Sequence, residues 1–124
     1  MIGQKGVGTG PRAGGIERHV AEIVPRLADM GHDIFVYARK KYHPNKEKTF
    51  EGSRLVFIPT LYSKNLEAII HTFFSTLHAL FGRFDVIHYH GVGPATLAWI
   101  PRIFSRNTTV IVTFHSQDQF HQKW

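Results

Sequence analysis

Gly14-Gly15-Ile16-Glu17-Arg18-His19-Val20 decides how the chain is read. The segment from Gly3 to Gly15 holds six glycines and one proline, which makes it a loop. A patterned helix starts as that loop closes. Its apolar positions are Ile16, Val20, Ile23, Val24, Leu27 and Met30, the spacing of one helical face. Glu17 suits the positive end of the helix, and Gly31 is a natural stop. Pro25 lacks an N–H and crowds the carbonyl of Ala21, so a kink is expected there. A glycine loop running into a helix leaves backbone N–H groups at a positive helix end, with no Cβ to obstruct a close ligand. That suits a phosphate or another anion.

Working outward, strands and helices alternate. Met1-Ile2 looks like the tail of a strand. Ile34 to Ala38 reads as a buried strand, Arg39 to Gly52 as a polar loop, and Arg54 to Ile58 as a second strand closed by Pro59. Ser63 is the expected cap of a long helix carrying Leu66, Ile69, Ile70, Phe73, Phe74, Leu77, Leu80 and Phe81, ended by Gly82. Phe84 to Tyr89 is a third strand, Gly91 to Pro94 a loop, and Ala95 to Phe104 a short helix with Pro101 inside or ending it. Thr109 to Phe114 is the last strand, and Gln117 to Trp124 begins something helical. Strands apolar on both faces imply an α/β fold: a Rossmann-like parallel sheet with helices on both faces. In such sheets ligands bind at the carboxyl edge of the strands, where the Gly14-Gly15 loop is expected.

The chain has 124 residues, the size of one domain, and no linker divides it. The short first strand and the ending at Lys123-Trp124 in mid-motif lead us to expect a piece of a larger protein. No run approaches the ~20 apolar residues that span a membrane, and no secretory leader is evident. With no cysteine, disulfides and thiolate metal sites are excluded. These features fit a cytoplasmic protein able to touch the inner face of a membrane. The net charge of +6 favours anionic partners, whether phosphates, nucleotides or an anionic membrane. The basic groups at Arg39-Lys40-Lys41 and Lys46 to Lys48 are not interleaved with aromatics as in an RNA-stacking platform, so no nucleic acid is expected.

Several chemistries can be set aside. The spacing of Gly6-Val7-Gly8-Thr9-Gly10 is wrong for GxGxxG, and the second strand ends in Ala38-Arg39-Lys40-Lys41 with no acid for a ribose, which disfavours NAD. No lysine follows the paired glycines as in a P-loop. There is no GxSxG elbow and no close carboxylate pair. His88 and His90 share a strand face, but a third metal ligand is not evident; His88 is better read as half-buried and hydrogen-bonded, with His90 at the cleft. His115 follows an apolar strand at the carboxyl edge. There it can donate a hydrogen bond to a substrate hydroxyl or phosphate, with Asp118 close enough to orient it or to cap the next helix.

MIGQKG, then GGIERHVAEIVPRLADMGHDIFVYAR, FDVIHYHG and VIVTFHSQDQFHQKW, in this order and spacing, resemble the amino-terminal half of family 4 glycosyltransferases. These are retaining, nucleotide-sugar-dependent enzymes of the GT-B fold. The resemblance implies that residues 1–124 are the acceptor-side, Rossmann-like half of a GT-B fold, and that a carboxyl-terminal donor-binding domain is missing. It implies that Gly14 and Gly15 approach the donor diphosphate through backbone N–H groups and that His115, the catalytic candidate, faces the transferred sugar or the acceptor. Arg18, His90 and Asp118 line the acceptor side in this reading. The partners would be a nucleotide-sugar donor and a glycan or lipid-linked acceptor, with no metal or other cofactor. Ser116 departs from the glycine more familiar after the histidine. The alternative is a non-catalytic Rossmann-like module that binds an anionic ligand or a membrane surface.

Overall fold

The computed structural model describes residues 1–7, 14–43, 47–60, 63 and 66–114. The chain forms α1 (Gly15–Asp29), β1 (Ile34–Ala38), β2 (Thr49–Phe50), β3 (Ser53–Phe57), α2 (Glu67–Gly82), β4 (Val86–His90), α3 (Val92–Ala95), α4 (Trp99–Phe104) and β5 (Thr109–Thr113). β1 pairs parallel with β3, β4 pairs parallel with β5, and β2 adds an antiparallel edge to β3.

Met1 and Ile2 join the two strand groups. The Ile2 N–H donates to the His88 carbonyl and the His90 N–H to the Ile2 carbonyl, both at 2.8 Å. On the other side, the Tyr37 N–H donates to the Met1 carbonyl at 3.0 Å. The spatial order is therefore β2, β3, β1, residues 1–2, β4, β5. The Gln4 side chain, fully buried, ties this seam by donating from Nε2 to the carbonyls of Met1 and Tyr37, each at 2.9 Å.

Helices cover both faces, as the two-sided apolar strands required. Alternation along β1 sends Ile34 and Val36 one way and Tyr37 the other. The first pair packs with Leu55 under Val20 and Val24 of α1. Tyr37 joins Ile2, Ile58, Ile87 and Tyr89 on the opposite face, under Ala79 of α2 and Ala98. α1 ends where Gly31 takes a positive φ of 92°, and its N–H donates to the Ala28 carbonyl. Pro25 lies inside α1, and the helix continues past it to Asp29.

The structure corrects several local expectations. Ser63 does not cap α2 with its hydroxyl; Leu66 holds the cap position without a side-chain bond, and the Ser63 carbonyl accepts from the Leu66 and Glu67 N–H groups. The helix expected over Ala95 to Phe104 starts only at Trp99, after a turn through Thr96–Ala98, and the loop expected over Gly91 to Pro94 instead holds the short helix α3. The polar loop after β1 contains a 3₁₀ turn at Lys40–Tyr42 and the strand β2, which returns to β3 through Glu51 (φ 45°) and Gly52 (φ 87°). The third strand starts at Val86 rather than Phe84 and extends to His90. The expected helical start at Gln117 to Trp124 lies outside the described residues.

α2 is oriented unusually. Its buried residues are His71, Thr72, Ser75, Thr76 and Ala79, while Leu66, Ile69, Phe73, Phe74 and Phe81 are exposed. The polar side chains turned inward find partners, and exposed His78 reaches one on the sheet. The Thr76 hydroxyl bonds the Tyr89 hydroxyl at 2.8 Å, Tyr37 Oη bonds His78 Nδ1 at 2.9 Å, and His71 Nε2 bonds the Ala38 carbonyl at 3.0 Å. Those bonds offset much of the cost of burying polar groups.

Candidate functional site

The carboxyl edge of the sheet is assembled from the ends of four strands and the start of α1. Gly14 is the N-cap, in extended conformation, and the first intrahelical bond runs from the Arg18 N–H to the Gly14 carbonyl at 3.1 Å. The N–H groups of Gly15, Ile16 and Glu17 therefore lie outside the helical ladder. The Glu17 carboxylate reaches back over the helix start. It accepts from the Gly14 N–H through Oε2 and from the Lys5 N–H through Oε1, both at 3.0 Å. Gly14 thus has its own N–H engaged, and the donors presented at the helix start belong to Gly15 and Ile16. Gly15 is exposed, and a Cβ placed on it would meet nothing within 4 Å among the described residues.

The same carboxylate holds both sides of the glycine loop. The loop's departure is fixed further by the Val7 N–H, which donates to His43 Nε2 at 3.2 Å. Residues 8–13, between these anchors, lie outside the described residues.

β4 ends beneath α1. Gly3 (φ 113°) lets the chain pass against the His90 carbonyl, where any Cβ would collide with that oxygen and with Pro94. Gly91 (φ 99°) turns the chain out of β4 and packs close to Ile16, so that a Cβ at this position would lie 3.6 Å from Ile16 Cδ1. The Gly91 N–H donates to the Thr113 carbonyl at 2.9 Å, which brings the end of β5 to the same place.

Of the residues expected in the site, Gly14, Gly15 and Arg18 are exposed at the start of α1. His90 is fully buried rather than open to solvent. Its ring stacks on His88 at 4.1 Å and meets His19 of α1 edge-on at 5.8 Å, so it packs beneath α1. His88 is half-buried and its Nε2 bonds the Thr113 hydroxyl at 2.6 Å, as the alternating pattern suggested. His115 and Asp118 lie outside the described residues; β5 ends two residues before His115. Among the described residues, no group of three or more His, Asp or Glu is arranged to hold a metal ion.

One feature of this edge escaped the sequence. Arg39 is almost wholly buried, and its Nη1 lies 3.1 Å from Glu67 Oε1 in the first turn of α2. Among the described residues neither Arg39 Nε nor Glu67 Oε1 has a hydrogen-bond partner, so charge rather than alignment holds the pair. Beside it, burial drives the His71 imidazole down to about 4, and the neighbouring Arg39 charge adds to that. A neutral ring fits the geometry: Nε2 donates to the Ala38 carbonyl, while Nδ1 faces the Ser75 hydroxyl at 3.5 Å. Arg39 and Glu67 are too far apart in sequence for any spacing rule to pair them.

A cavity of about 490 Å³ lies elsewhere, lined by Ala98, Arg102, Ser105, Arg106, Thr108 and strand β5. Its lining includes no residue of α1, whereas backbone donors, glycines and strand ends converge at the sheet edge.

The family model for "Glycosyltransferase Family 4" matches residues 13–124. The chain belongs to glycosyltransferase family 4. The match begins at the residue before Gly14 and so takes in the whole of α1 and the sheet edge it faces. Family 4 membership makes this a transferase domain, with a sugar donor and an acceptor as its substrates. Neither a curated protein nor a solved structure matches the chain. The α/β architecture, with parallel strands between helices, is consistent with one half of a GT-B fold in this family.

Proposed function

We propose that this domain forms the acceptor side of a retaining glycosyltransferase that moves a sugar from a nucleotide-sugar to a glycan or lipid-linked acceptor. The observation that carries this reading is the exposed start of α1 at the sheet's carboxyl edge, in a chain of family 4. The Gly15 and Ile16 N–H groups and the helix dipole suit the charge that grows on the nucleotide diphosphate as it leaves. Gly15 provides the clearance for a close approach. Gly14 contributes by its extended cap conformation, which aims those donors. Arg18 adds a positive charge at the same helix end.

His115 is the catalytic candidate. As a neutral imidazole it can hydrogen-bond the transferred sugar or the acceptor hydroxyl and hold it for attack. Asp118 would orient that ring, and His90 would support the cleft from within β4. A second Rossmann-like domain would hold most of the donor. This chemistry is positioning and charge stabilisation, and it asks for no metal ligand from these residues.

The test is sugar transfer by the full-length protein with nucleotide-sugar donors. His115→Ala should lower turnover by at least about tenfold while leaving the fold intact. Unchanged turnover would remove His115 from the mechanism.

A further inference from the structure

We infer that His43 is a positioning residue for donor binding: its ring holds residues 5–7, the stem of the glycine loop, in place against the start of α1. The inference rests on the sugar-transfer reading above, because it concerns how that wall of the cleft is held.

The stem is gripped from several elements. The Lys5 N–H donates to Glu17 Oε1 at 3.0 Å, and the Lys5 carbonyl accepts from the Arg39 N–H at 2.9 Å. The Val7 N–H donates to His43 Nε2 at 3.2 Å. The first grip comes from α1 and the second from the end of β1. The third comes from the 3₁₀ turn at Lys40–Tyr42. That turn is closed by the Tyr42 N–H on the Arg39 carbonyl at 3.1 Å and the His43 N–H on the Lys40 carbonyl at 3.0 Å. It folds the chain back, so His43 meets the segment that Arg39 has just paired with.

The contact is built rather than incidental. His43 is only 6% exposed, although it is a polar ring at the end of a turn. A Cβ on Gly6 would collide with its Nε2, so Gly6 leaves the room that the ring occupies. Gly6 has no positive φ, so clearance rather than backbone conformation explains that glycine. Phe57 meets the ring edge-on at 5.6 Å, and Nδ1 lies 3.4 Å from Glu47 Oε2. An Nε2 that accepts from the Val7 N–H carries no proton, so the ring's proton sits on Nδ1, on the side of Glu47. A carboxylate behind an imidazole fixes its tautomer and its orientation. An apolar side chain could fill the space between Gly6 and Phe57, but it could not accept from Val7.

The stem transmits its position to the donors. The Glu17 carboxylate that grips Lys5 also accepts from the Gly14 N–H at 3.0 Å. A shift of residues 5–7 therefore reaches the cap of α1, whose Gly15 and Ile16 N–H groups face the diphosphate in this reading. Misplacing a positioned group by about 1 Å can cost about 100-fold. Without the His43 grip those from Glu17 and Arg39 remain, so the chain keeps its fold while the stem loses its register.

The experiment compares full-length wild-type protein with His43→Leu, His43→Gln and Glu47→Ala. Calorimetric titration with uridine, guanosine and adenosine diphosphates is paired with steady-state sugar transfer. His43→Leu should weaken the nucleotide diphosphate that the wild type binds, and raise the nucleotide-sugar KM, by at least about fivefold. The acceptor KM and the circular dichroism spectrum should stay unchanged. Gln carries Oε1 where His carries Nε2, so His43→Gln should return both values to within about twofold of wild type. Glu47→Ala, at a more exposed position, should shift them the same way by about twofold or more. If His43→Leu does not fold, the Glu47→Ala result decides, and wild-type affinity in that variant overturns the inference. Unchanged donor affinity in a folded His43→Leu protein overturns it too, as does a fall in kcat alone or a Gln variant as weak as the Leu variant. Wild-type protein that binds none of the three diphosphates overturns the sugar-transfer reading together with this one. Binding by the wild type that the variants leave untouched overturns this one alone.

Discussion

α1 and α2 carry equally clear helical patterns and use them in opposite ways. α1 turns Val20 and Val24 onto Ile34, Val36 and Leu55, and its charged side faces solvent. α2 turns His71, Thr72, Ser75 and Thr76 onto the sheet and leaves its phenylalanines outside. The first helix is held by apolar burial, the second by a seam of hydrogen bonds and one ion pair. Periodicity reports that a stripe exists; the chemistry of the opposite stripe decides which side faces in.

The contrast can be broken most sharply by charge. Val24→Asp buries an unpaired carboxylate under α1 and should cost at least about 4 kcal/mol, enough to unfold most of the population. Phe81→Asp puts the same charge on the outward side of α2 and should change stability by less than about 0.5 kcal/mol. Urea denaturation of the two variants side by side checks this. Equal losses would mean that α2 does bury its phenylalanines.

Next in size is the ion pair. Glu67→Ala leaves the Arg39 guanidinium buried and uncompensated, at a cost of about 3 kcal/mol. Arg39→Met combined with Glu67→Leu should recover most of that loss. A double variant no more stable than Glu67→Ala would show that the charges are not coupled.

His71 gives the seam a pH dependence. Its folded value is lowered to about 4 against an ordinary 6.5, so between these values the unfolded chain binds more protons. The stability is fully present above about pH 6.5 and is lost as the pH falls towards 4, by up to about 3 kcal/mol. His71→Asn should flatten that part of the stability profile, measured by denaturation from pH 7 to 4. A profile of unchanged slope in the variant would assign the dependence to other groups. Smaller again, Thr76→Val removes the partner of the Tyr89 hydroxyl and should cost about 1–2 kcal/mol by thermal denaturation. A neutral outcome would place water at that hydroxyl.

Much of the fold was legible because its signals are local. The glycine pair before Ile16 and Gly31 after Met30 mark both ends of α1, and the apolar runs at Ile34, Val86 and Thr109 mark strands. β2 was hidden because two residues carry no periodicity; the Glu51-Gly52 turn between Phe50 and Ser53 was its available signal. The split between α3 and α4 depends on a turn that apolar spacing does not register. At the site, the helix start was visible in Gly14-Gly15. The Glu17 clamp on Lys5 and the Arg39–Glu67 pair were not, since both join residues that only the folded sheet brings near. A strand-end position suggests that His90 lines the cleft, whereas its burial follows from Gly3 and α1 closing over it.

The central claim is that the start of α1 is a wall of the sugar-transfer cleft. Gly15 isolates that claim, because a Cβ there meets nothing within 4 Å among the described residues. The decisive measurement is nucleotide-diphosphate affinity by calorimetry for the full-length protein and its Gly15→Val variant. The account predicts affinity at least about tenfold weaker, corresponding to about 1.4 kcal/mol, with a thermal midpoint close to wild type. Equal affinity in the two proteins would contradict it.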